Sequence, residues 1–96
     1  MRFAWDLAKS ARNLAKRHFD FAFASLIFEG PTLERMDSRR DYGEERWVAI
    51  GTAEGILITL VYTDRTQGAA IVRRIISARV SNRHECKAYT EVFPAS

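Results

Sequence analysis

A chain of 96 residues, 47% hydrophobic and 28% charged, has the make-up of a single globular domain over residues 1–96 and is too short for two. Its apolar runs fall far short of the ~20 residues of a membrane span, Asp6 and Lys9 interrupt the N-terminus as no secretory leader allows, and Cys86 has no second cysteine to pair with, so a cytoplasmic protein with no membrane partner is predicted. The net charge of +3 is uneven: residues 1–20 carry five basic and two acidic side chains, 21–64 four and eight, and 65–96 six and two, so basic ends that meet in the fold make a polyanion-attracting patch.

Asp6 is a good N-cap, and Leu7, Ala11, Leu14 and Ala15 recur at helical spacing behind it, which predicts a helix over 6–17 with Trp5 as a hydrophobic staple. Lys9, Lys16 and Arg17 read as the solvent face of that helix. His18-Phe19 makes a turn. Asp20 caps a second, more buried helix over 21–28, which ends at Gly30-Pro31. Residues 32–36 read as a short edge strand and 37–43 as a polar loop. Strands follow over 46–52 and 56–63, joined by a turn at Ala53-Glu54-Gly55. The second of them is apolar at both parities and is predicted to lie centrally in the sheet. A polar loop over 64–68 leads into a last strand over 69–79, broken by Arg73-Arg74. Asn82, with Glu85 three residues on, has the form of a capping box for a final helix reaching Val92. The expected class is α+β: an antiparallel meander of about four strands, two N-terminal helices and one C-terminal helix. The helices are predicted to cover one face of the sheet and leave the other partly open.

His84-Glu85-Cys86 is the only clustering of metal-ligand types, and neighbouring helical residues point apart, so neither a metal site nor a Cys–His nucleophile pair is expected. There is no glycine-rich phosphate loop, which excludes dinucleotide and P-loop chemistry; no cofactor is expected. The arginines carry more information. Strict alternation puts Arg73, Ile75, Ser77 and Arg79 on one face of the last strand and Arg74, Ile76 and Ala78 on the other. A guanidinium in so apolar a strand needs a partner, either an internal carboxylate such as Glu44, Glu45 or Glu54, or a phosphate ligand.

The segments Trp5-Asp6-Leu7-Ala8-Lys9, Asn13-Leu14-Ala15-Lys16, Phe21-Ala22-Phe23-Ala24 and Ile27-Phe28 come in that order, followed by Gly43 to Gly51 and Leu60 to Arg65. Arg74-Ile75-Ile76-Ser77-Ala78-Arg79 then precedes Arg83, Glu85 and Tyr89. Over residues 3–91 this series resembles the BrnT family of bacterial toxins. The resemblance implies a RelE-like fold and a metal-independent endoribonuclease that inhibits translation. It also implies a cognate antitoxin, usually of ribbon-helix-helix type, which binds operator DNA together with the toxin. By the same resemblance Arg65 and Arg79 are the catalytic pair, and Lys9, Arg74 and Arg83 bind the RNA substrate. Two features depart from the pattern. His18 stands where glycine is usual, and His84, Cys86 and Ala88 occupy places in the last helix that are often arginine. Two other readings stay open on the residues alone: a nucleic-acid-binding corepressor without catalysis, and an inhibitor of a protein target such as gyrase.

Overall fold

The computed structural model describes residues 1–94. Its elements run β1 (Arg2–Trp5), α1 (Leu7–Arg17), α2 (Phe21–Ala24) with a following 3₁₀ segment (Ser25–Glu29), β2 (Leu33–Met36), β3 (Trp47–Ala53), β4 (Ile56–Gln67), β5 (Ala70–Val80) and α3 (Arg83–Val92). The class is α+β, with one five-stranded sheet in the order β1-β5-β4-β3-β2. β4 is its middle strand, as its two-sided hydrophobicity predicts. The expected count of about four strands omits β1. That segment is only four residues long and pairs in parallel with β5, Trp5 opposite Ile75, so no local hairpin signal announces it. Trp5 is thereby a strand residue packed against the core. The predicted second helix is split, four α residues passing into the 3₁₀ segment.

The local signals at helix starts hold. Asp6 accepts from the Lys9 amide, Asp20 from the Phe23 amide, and Asn82 and Glu85 form a reciprocal capping box. Glu54 and Gly55, at φ 49° and 79°, make the left-handed two-residue turn that a tight β3–β4 hairpin needs. The core joins Phe19, Phe21, Ala24 and Ile27 to Ala49, Ala53, Ile58, Leu60, Ile75 and Ala78 of the sheet. Contact is tight at Gly51, where a Cβ would stand 2.8 Å from the Ile27 Cβ; only glycine lets the 3₁₀ segment lie this near β3.

Helices are not confined to one face. Val48 and Ile50 alternate with the core-facing Ala49, are also buried, and line an apolar hollow with His84, Glu85 and Ala88 of α3. Just ahead of α3, Ser81 meets Thr59 at 2.7 Å between hydroxyl oxygens. α3 therefore covers part of the second face and leaves the remainder open beside β5. α1 departs further from expectation. Leu7 and Leu14 are 79% and 51% exposed, whereas Ser10 and Asn13 are buried. The turn after α1 explains the inversion: its backbone needs partners inside the protein. Ser10 Oγ accepts from the Phe21 amide, and Asn13 Nδ2 donates to the Phe19 carbonyl. Polar side chains face inward because they hold the turn, and the apolar stripe is turned outward.

Candidate functional site

β4 and β5 pair in register except at Val61/Tyr62, where Ser77 lies opposite Val61 and Ile75 opposite Tyr62, so Ile76 is an extra residue. This bulge resets the alternation of β5. Ile75 and Ala78 both enter the core, while Ser77 and Arg79 share the opposite face. Strict alternation placed Arg73 and Arg79 together; the bulge separates them. Arg73 lies on the core side, its guanidinium 4.0 Å from the Tyr62 ring centre and 4.7 Å from that of Phe28, and it is paired with Asp64.

Arg79 opens onto a cleft of about 210 Å³ lined also by Arg17, Arg35, Arg39, Thr59, Val61 and Ser77. Four parts of the chain bring its arginines together over a floor that includes Thr59 and Val61 of β4. β5 supplies Arg79 and Ser77, β2 supplies Arg35, and the last turn of α1 supplies Arg17. The loop after β2 supplies Arg39, whose guanidinium is clamped at 2.8 Å on both oxygens of the buried Asp37 carboxylate. Arg17 Nη1 donates to the Ala78 carbonyl at 2.7 Å, beyond the point where β1 stops pairing with β5. Arg79 donates from Nη1 and Nη2 to the two Glu85 oxygens, each at 2.7 Å. The cleft thus sets four guanidinium groups against two carboxylates and keeps surplus positive charge.

Arg79 lowers Glu85 to a pKa of about 2, with the Asn82 amide as a smaller cause. Glu85 is therefore ionised at neutral pH and fixes the Arg79 fork while it caps α3. Arg79's own pKa is raised chiefly by the Glu85 hydrogen bonds, and opposed by partial burial and, less, by the Arg39 charge. Only two of the five guanidinium N–H groups of Arg79 are taken by Glu85, so the fork retains donors for a ligand oxygen.

A second, shallower hollow of about 200 Å³ adjoins the first, and Arg17 and Ser77 line both. Lys9, Arg12, Asn13 and Lys16 of α1 form one wall and Ile76 lies opposite. The two hollows make one cationic track: Lys9, Arg12, Lys16, Arg17, then Arg79, Arg39 and Arg35. Lys9 lies on this track; Arg74 and Arg83 line neither hollow. Arg65 is a strand residue of β4 rather than a loop residue. It lies opposite Val72, whereas Arg79 lies opposite Thr59, six residues along the same strand and roughly 20 Å away. Its partner is Glu44 at 3.1 Å, whereas Arg73 and Arg79, the last-strand arginines for which Glu44, Glu45 or Glu54 was expected, pair with Asp64 and Glu85 instead. Neither histidine enters the cleft. His18 is the left-handed C-cap of α1 at φ 69°, and His84 lines the apolar hollow beneath α3.

Arg17, Arg35 and Arg39 carry no linear signature as a group, because α1, β2 and a loop meet only in the folded sheet. The spacing of Asp37 and Arg39 was the one local sign, a carboxylate two residues before the guanidinium it holds. Among the described residues no three His, Cys, Asp or Glu side chains converge on a metal position, and no helix is long and apolar enough to cross a membrane. No curated protein matches the chain. The model of the BrnT family, ribonuclease toxins of type II toxin–antitoxin systems, matches residues 5–85, and the chain, with its arginine-lined cleft, belongs to that family.

Proposed function

We propose that the chain is a metal-independent endoribonuclease of RelE-like fold that acts in the cytoplasm, cuts RNA in the cleft around Arg79 and so inhibits translation. A cognate antitoxin of ribbon-helix-helix type neutralises it and, with it, binds operator DNA. The observation that carries the catalytic reading is the Arg79 fork. It is held in place by an ionised carboxylate, yet it opens onto a cleft with more cations than anions. Such a cleft attracts a phosphodiester and stabilises the extra negative charge on phosphorus as the reaction proceeds.

In metal-free cleavage the ribose 2′-oxygen attacks the adjacent phosphorus. The O2′–P bond forms, the P–O5′ bond breaks, and the products are a 2′,3′-cyclic phosphate and a 5′-hydroxyl. The 2′-hydroxyl loses a proton and the leaving O5′ gains one. Arg79 grips the non-bridging oxygens. Glu85 is a positioning residue for that grip, since a carboxylate with a pKa of about 2 is a weak proton acceptor at neutral pH. Arg17, Arg35 and Arg39 neutralise the flanking backbone, with Lys9 at the α1 end of the track. Arg65, roughly 20 Å along β4, contacts a different phosphate of the same strand. Arg74 and Arg83 add general attraction for RNA from outside the cleft.

The test is RNA cleavage by the isolated chain in excess EDTA, with the new ends identified. Cleavage that persists and leaves 2′,3′-cyclic phosphate is the expected result. Activity that disappears with EDTA and returns with Mg²⁺ refutes the mechanism.

A further inference from the structure

α1 presents three faces. Ser10 and Asn13 point into the protein, and Arg17 is hydrogen-bonded to Ala78. Lys9, Arg12 and Lys16 line the cationic track. Between these lies an arc of about 120° holding Leu14, Leu7, Ala11, Ala15 and Ala8 in angular order, without a charged residue. All five are exposed, and the two leucines are 79% and 51% accessible. Among the described residues, no other element is laid over this face.

We infer that this face of α1 is the docking surface for an acidic amphipathic helix of the antitoxin, a proposal that rests on the toxin–antitoxin reading above. Charge selects the occupant. α1 carries no acidic side chain from Leu7 to Arg17, and one border of the apolar arc is the row Arg12, Lys16 and Lys9. A partner with carboxylates along one border of its own apolar stripe meets that row with opposite sign. A second copy of this chain brings like charges to the same border. Shape agrees with charge. Three of the five residues are alanine, and between two leucines seven residues apart they let a helix backbone approach closely. Helices that insert into lipid carry bulky and aromatic residues on the apolar face instead. The position also explains neutralisation. A helix seated on Leu7 and Leu14 pairs its carboxylates with Lys9, Arg12 and Lys16, and so covers the α1 end of the track that leads to Arg79.

The test uses the protein encoded by the adjoining reading frame, co-expressed and purified, as the probe. Two variants are compared with the wild type, the double Leu7→Glu/Leu14→Glu and the single Ala11→Arg. All three sites are exposed and lie outside the cleft, so folding and RNA cleavage by the free chain stay unchanged. The expected result is a loss of affinity of roughly 100-fold in both variants and cleavage that the probe no longer inhibits. Full inhibition of both variants places the antitoxin elsewhere and overturns the proposal while the toxin–antitoxin reading stands. Two other results overturn it likewise: a wild-type dimer that the variants abolish, which assigns the face to a second copy, and wild-type binding to anionic vesicles that the variants lose. A probe that neither binds nor inhibits the wild type removes the toxin–antitoxin reading itself.

Discussion

Arg73 and Arg79 stand six residues apart on one strand, and each closes a two-point ion pair with a carboxylate. Arg73 holds Asp64 at 2.8 and 2.9 Å, and Arg79 holds Glu85 at 2.7 Å twice. Their surroundings differ. The Arg73 side chain is 15% exposed and lies over two aromatic rings, and the charges of Asp64 and Glu34 favour its ionised form. The Arg79 side chain is 44% exposed, it shares its cleft with Arg17, Arg35 and Arg39, and the Arg39 charge opposes its ionised form. An ion pair alone does not distinguish a structural arginine from one that awaits a ligand. The charges outside the pair do, because a site with surplus positive charge gains from an added anion and a balanced site does not.

The comparison is sharpest when each arginine is removed. Arg79→Ala is expected to lower RNA cleavage about 100-fold or more with little change in melting temperature, and Arg79→Lys to recover only part of the loss, because lysine keeps the charge without the fork. If Arg79→Ala unfolds the protein or leaves cleavage intact, the contrast collapses. Arg73→Ala is expected to do the reverse. It leaves an ion pair broken and two rings uncovered, at a cost of roughly 2 kcal/mol, between the values for fully buried and exposed pairs. For a domain of this size that is a drop of roughly 8–16 °C in melting temperature, with cleavage by the folded fraction retained.

Arg65→Ala tests distance. With Arg65 roughly 20 Å from Arg79, cleavage of a long RNA falls, whereas cleavage of a dinucleotide, which holds one phosphate, is unaffected. Equal losses on both substrates bring Arg65 to the scissile phosphate. The Arg79–Glu85 pair also predicts a pH response. Glu85 has a folded-state pKa of about 2 against an ordinary value of 4.5. Its contribution to stability is therefore complete above about pH 4.5 and is lost as the pH falls toward 2. Melting curves should show that loss, and Glu85→Gln, which keeps the cap but not the charge, should flatten it. The smallest effect is expected at His18. Its φ of 69° is costly for a residue with a Cβ. His18→Gly relieves that cost against a larger unfolded-state entropy, for a net gain below about 1 kcal/mol and no change in cleavage.

Legibility in the sequence followed the range of the interaction. Asp6, Asp20 and Asn82 cap helices within three residues of themselves, and Glu54-Gly55 turns a hairpin in two, so these features are readable from a short window. β1 depends on a strand some 70 residues away and leaves no such trace. Periodicity found α1 but pointed it the wrong way. Apolar spacing identifies a stripe without saying whether the stripe is covered from inside or from outside, and Ser10 and Asn13 look unfit for burial until the turn they hold is known. The bulge at Ile76 is likewise silent in the sequence, and by shifting parity once it sent Arg79 to the open face. The family resemblance pointed to Arg79 and Arg65 one by one. The cleft around Arg79 became visible only when α1, β2 and the loop after it were brought to β5.

The parallel pairing of β1 with β5 also bears on synthesis of the protein. Trp5 leaves the ribosome long before Ile75, and at 5–20 residues per second the interval is roughly 4–14 s. Through that interval the first strand has no neighbour, and neither the bulge nor Arg79 has been made. A nascent chain therefore carries the basic helix early and acquires its cleft only after β5 has been made. The ribosome makes β1 to β4 before the cleft exists.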